Sequence, residues 1–320
     1  MSGLLRMLFG YMYLTWLEFR YLISRRTRAS YIIFILIFGM SLYGISIQDY
    51  NAQGMETTEI LGGLEIGDAP LIDMLIFTFI FGMSTFASAT GGQAPAIVIP
   101  AQLGVTLIII VSILLGINMV SRLGAKNAAS TISREKESRT LYLCASTTNT
   151  RPAIYLAKLK AAYLTTLPMI AIMFLGVYWI WTSSFGSPDM ITMQPTFQSL
   201  LLNMVIMTLC TTILFTSLGS LVSTLKREEE SAVSLSSKFT TLAAALTTLW
   251  LLLPIFAVTG GKMYSLIETL TMLSPITLDL IVLYGNDSTL LIQYAGIQLA
   301  AAAVLTILGI IVFIRQDIEY

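Results

Sequence analysis

Residues 122–160 read RLGAKNAASTISREKESRTLYLCASTTNTRPAIYLAKLK, and their charges decide the fold. Eight are basic and two acidic, while the flanks carry no charge: AQLGVTLIIIVSILLGINMVS over 101–121, and every residue between Lys160 and Asp189. A bilayer core takes about 20 apolar residues per helix, and short loops rich in Lys and Arg stay on the cytoplasmic side. The stretch is therefore predicted to be a cytoplasmic loop joining two membrane spans.

Composition extends that reading to the whole chain. Of 320 residues, 56% are hydrophobic and 11% charged, with a mean hydropathy of +0.80. Soluble domains carry about 25% charged residues. Lys+Arg and Asp+Glu both number 18, which excludes a basic nucleic-acid binder. There is no histidine, so His-dependent triads, H-E-x-x-H zinc sites and histidine proton relays are absent. The two cysteines, Cys144 and Cys210, lie in unlike surroundings and are expected to stay reduced.

Uncharged runs predict six spans, at 31–47, 101–121, 161–183, 197–223, 237–259 and 290–314. A seventh apolar run, LIDMLIFTFIFGMSTFASA over 71–89, is excluded as a crossing by charge. With six crossings the inner face collects 17 basic residues against eight acidic ones, and the outer face holds Lys262 against ten acids. A seventh crossing would turn the eight basic residues of 122–160 outward, against the positive-inside rule. The expectation is a single all-α transmembrane domain over 1–320, both ends cytoplasmic. Residues 48–100 then form an outer segment, in which 71–89 either dips into the outer leaflet or makes a surface hairpin ending near Gly91-Gly92 and Pro95.

Residues 2–28 are expected to form an interfacial elbow helix and a basic turn. Arg6, Gly10, Tyr13 and Arg20 share one stripe while Leu5, Phe9, Met12 and Trp16 cover the rest, a pattern for a helix lying in the lipid interface. Its basic cluster follows the apolar run, unlike a signal peptide. Residues 262–287 are too short for two crossings and are expected to form a pair of short re-entrant or surface helices broken at Ser274-Pro275, with Glu268 and Asp279 inside them. Asn118, Asn203, Gln293 and Gln298 lie inside spans, where such residues hold helices together. No acid lies in the middle of a span, which argues against ion coupling.

Within the cytoplasmic loop, 122–157, Ser133 to Ala145 is expected to form a short helix outside the bilayer whose charged half stays unburied. STTNT links it to a second helix, which Thr150 caps and Pro152 opens. Taken alone, the spacing favours a solvated connection that only sets topology. Thr90-Gly91-Gly92-Gln93 imitates an ABC ATPase signature, but there is no G-x-x-x-x-G-K-[ST] loop, so this chain is not expected to hydrolyse ATP. Asn286-Asp287-Ser288 is a sequon.

R-E-K-E-S-R-T-L-Y-L, with Lys158 after a short gap, resembles the cytoplasmic loop of type-2 ABC exporter permeases. An elbow helix ending in E-F-R, six spans, short helices around Ser274-Pro275 and a tail running from Arg315 to Glu319 are similar to that family too; Thr148 and Ala157 stand where the family commonly has proline and glycine. The resemblance implies a membrane-spanning permease subunit of an ATP-driven exporter in the cell membrane. It would work with a second permease copy or paralogue and a separate ATP-binding cassette subunit that binds the ATP and Mg. It also implies that Arg134, Glu135 and Glu137 make charged contacts with that subunit, that Thr140 and Leu141 pack at its edge, and that Lys158 orients the third span. The alternatives are an ion-gradient-driven carrier or a non-transporting assembly factor. The sequence assigns no cargo.

Overall fold

The computed structural model describes residues 3–23, 27–36, 101–141, 150–184, 194–251, 262–285 and 288–316. Among them there is no strand. The outer segment 48–100, with its run 71–89, and the link 142–149 lie outside the described residues.

Helix α1 covers Gly3–Leu22, and a helical stretch resumes over 28–36. Then come α2 (Ala101–Glu137), α3 (Arg151–Leu164), α4 (Leu167–Ser184), α5 (Gln194–Leu225) and α6 (Glu229–Leu251). Two short helices, α7 (Lys262–Thr271) and α8 (Pro275–Gly285), precede α9 (Ser288–Arg315). Among the described residues three helical stretches are long and apolar enough to cross a membrane: Arg151–Tyr178, Leu201–Leu225 and Thr289–Arg315.

The first of these bends between α3 and α4. Pro168 has no amide to give, so the Leu164 carbonyl loses its partner and the chain turns at Thr165-Thr166. The Thr165 hydroxyl bonds the Ala162 carbonyl at 2.6 Å, and the Thr165 carbonyl accepts from the Tyr31 hydroxyl at 2.5 Å.

At the centre, α2 and α5 cross almost backbone on backbone. A Cβ placed on Gly219 would stand 2.2 Å from the Ala125 carbonyl oxygen, and one on Gly124 would stand 2.6 Å from Thr216 Oγ1. Small residues allow such an approach between helices in lipid. Beside the crossing, Ile117, Val120, Leu123, Met169, Met173, Met204 and Phe215 form the largest apolar core. The outward faces are apolar as well: Met12 and Trp16 on α1 and Ile292, Val304 and Ile307 on α9 are all more than half exposed, as expected of surfaces turned to lipid.

One expectation is corrected. The charged residues from Ser133 to Glu137 do not start a separate short helix; they are the last turns of α2, which runs unbroken for 37 residues. Nor do they all stay unburied: Glu137 is exposed, but the residues before it are not. Ser133 is fully buried and Glu135 is 8% exposed, because their partners lie on neighbouring helices.

Candidate functional site

The site is the end of α2 and what it gathers around it. Ser130, Thr131 and Ser133 turn their hydroxyls back onto the carbonyls of Asn127, Ala128 and Ala129, competing with the helix's own amides. Ser223 Oγ of α5 accepts from the amides of Ile132 and Ser133 at 3.0 and 2.9 Å. The helix then ends on Arg139, whose φ of 55° is left-handed and costs a non-glycine residue about 1 kcal/mol or more. Ser138 N donates to the Arg134 carbonyl at 2.9 Å and Thr140 N to the Glu135 carbonyl at 2.9 Å, so the reversal satisfies carbonyls the helix end would leave open.

Two acids and two bases from three helices meet just inside this turn. Lys158 of α3, fully buried, places Nζ 2.6 Å from Glu135 Oε1 and 3.6 Å from Glu18 Oε2 of α1. Arg134 Nη2 lies 2.9 Å from Glu18 Oε1, and its guanidinium stacks 3.8 Å over the Tyr21 ring. The charges cancel. Neutrality is what makes burial tolerable, since a lone buried charge costs several kcal/mol.

The same stretch closes three further helix ends. Lys136 donates to the Thr224 carbonyl at the end of α5. Burial, and then repulsion from Arg227, pushes the Lys136 ammonium down to about 8. Glu137 Oε2 accepts from the Glu229 amide at 2.8 Å, and a carboxylate at a helix start suits the dipole. Arg151 Nη1 donates to the carbonyls of Ile314 and Gln316 at 2.7 and 3.2 Å, at the end of α9. Thr150 is the N-cap of α3 with Pro152 in its first turn, as expected, although its hydroxyl makes no capping bond.

The six residues singled out by sequence therefore divide. Arg134, Glu135 and Lys158 come together inside, and Leu141 is buried in a small core with Ile132, Ile154, Tyr155 and Phe313. Glu137 and Thr140 are exposed, together with Ser138 and Arg139. Sequence reasoning assigned no role to Glu18, Lys136 or Arg151. For Glu18 the signal was available: an acid in the apolar run WLEF needs a partner when its helix packs. No group of side chains suited to a metal ion occurs among the described residues.

The family model described as ABC-2 family transporter protein matches residues 12–318. A search of curated proteins finds no match.

Proposed function

The chain belongs to the ABC-2 transporter family, and from that premise we propose that it is the permease subunit of an ATP-driven exporter, coupled to a separate ATP-binding subunit through the exposed turn at 137–140. Six crossings with both termini cytoplasmic complete the proposal, with spans at 31–47, 101–121, 161–183, 197–223, 237–259 and 290–314. Two permease copies or paralogues line the path. ATP and Mg are bound by the partner, and no catalytic role falls to this chain.

One observation carries this reading. The turn is exposed at its tip, yet clamped behind by Glu18, Arg134, Glu135 and Lys158 to α1, α2 and α3 at once. A force applied to Glu137, Ser138, Arg139 or Thr140 therefore reaches three helices without passing through a soft segment, as a rigid-body transition requires. Arg134, Glu135 and Lys158 hold the turn in this reading, and Leu141 seats it on the core. The partner meets the tip.

The test is coexpression with an ATP-binding subunit. Replacing Arg139 and Thr140 by alanine is expected to reduce copurification and ATP-dependent transport at least tenfold while leaving the melting temperature of the permease near wild type. Transport that continues without any ATP-binding subunit would overturn the reading and favour the ion-gradient carrier.

A further inference from the structure

Away from the charged end, Asp279 of α8 is fully buried between α5 and α9. Thr211 Oγ1 lies 2.8 Å from Asp279 Oδ1 and 2.7 Å from Oδ2, and 2.8 Å from Gln298 Oε1. Gln298 Nε2 donates to Asp279 Oδ1 at 2.8 Å and to the Pro275 carbonyl at 3.2 Å. A carbonyl only accepts, so Pro275 fixes which end of the amide is NH2 and leaves Oε1 facing Thr211.

The proton count then fails by one. Thr211 owns a single hydroxyl hydrogen, yet three acceptor oxygens stand within 2.8 Å of it. With Asp279 ionised, either the carboxylate or Gln298 Oε1 faces a bare lone pair at hydrogen-bond distance, around a carboxyl group that is fully buried. We propose that Asp279, Thr211 and Gln298 form a proton-binding site, in which Asp279 holds a proton on Oδ2 and the three side chains close a ring. Oδ2–H donates to Thr211 Oγ1, Thr211 donates to Gln298 Oε1, and Gln298 Nε2 returns to Oδ1.

The surroundings favour the neutral acid. On α5 there is no charged residue, and the Cys210 thiol is the titratable group that interacts with Asp279. On α9, Tyr294 packs in the adjoining apolar cluster, and Arg315 is 17 residues beyond Gln298, about 25 Å along the helix. Lys238 on α6 lies nine residues before Thr247, which bonds Ser274 just ahead of α8, and Glu229 and Glu230 lie further still. Arg122 on α2 is exposed. The bound proton thus latches α8 to two of the candidate spans, and its loss puts a carboxylate and an amide oxygen in competition for one hydrogen.

Infrared spectra of the full chain in lipid vesicles test this. At neutral pH the wild type is expected to show a protonated-carboxyl C=O band that disappears in Asp279→Asn and fades reversibly as pH rises. Asparagine can both donate to Thr211 and accept from Gln298, so at mildly acidic pH this variant should keep the wild-type melting temperature, and it should lose the fall in stability that the wild type shows as pH rises from the ordinary carboxylate range to neutral. In Thr211→Ala, which removes the acceptor, the band should shift. Identical carboxyl spectra for wild type and Asp279→Asn at neutral pH, or an unshifted band in Thr211→Ala, would overturn the proposal.

Discussion

Lys158 is the residue on which the charged end depends. Removing it leaves Glu135 and Glu18 with one guanidinium between them, and breaking a buried pair from one side costs about 3–5 kcal/mol. Lys158→Met is therefore expected to lower the melting temperature by many degrees, whereas the double variant Glu135→Gln/Lys158→Met should recover much of the loss; equal melting for both would show that the charges do not act as a unit. Lys136 gives a pH signature of the opposite kind to a stabilising pair. Its folded value, about 8, lies below the unfolded one, so between the two the unfolded chain binds more protons and stability rises with pH. Lys136→Met should flatten that rise in melting curves taken from neutral to alkaline pH.

At the scale of elements, the α2–α5 crossing sets the tolerance for change. A methyl on Gly219 meets a backbone carbonyl that cannot step aside, so Gly219→Ala should destabilise by about 1–3 kcal/mol and separate the helices. Nothing lies within 4 Å of a Cβ on Gly296, and Gly296→Ala should be neutral or gain up to about 1 kcal/mol of helix propensity. Thermal unfolding of both variants distinguishes the two cases. These elements also show what a sequence can tell. Apolar runs and the Pro152 start of α3 were readable, because they depend on neighbours within a turn or two. The continuation of α2 to Glu137 was not, because a charged run in isolation belongs in water. Lys158, 23 residues beyond Glu135, supplies the charge that lets it bury, and Glu18, on another helix, supplies the one that pairs with Arg134. Arg139 carries no glycine to announce its left-handed turn. The sequence reads Gln298 as a residue that joins helices, and it does; that its partner is Asp279 of the short pair 262–287 is not legible, because neither spacing nor hydropathy links the two positions.

For the whole molecule the feature to explain is polarity. The charge network, the capped ends of α5 and α9 and the exposed turn gather at one end of the bundle, and Asp279 sits about 18 Å from Ser223, measured along α5 from Thr211. Opposite ends of α9 should then report opposite sides of the membrane. Cysteines introduced at Arg139 and Gln316 are expected to react with an impermeant thiol reagent from the same side, and one at Thr289 from the other; labelling of all three from one side would refute the crossing. The length of α2 has a mechanical consequence. Its contact with Gly219 falls near Gly124, with 13 residues on the charged side and 23 on the other, arms of about 20 and about 35 Å. A stiff rod held there is a lever with its fulcrum off centre. If α2 crosses as proposed and moves as one body, a push of about 1 Å at the turn would swing the far tip about 1.8 Å the other way, so a small stroke would be both reversed in direction and enlarged.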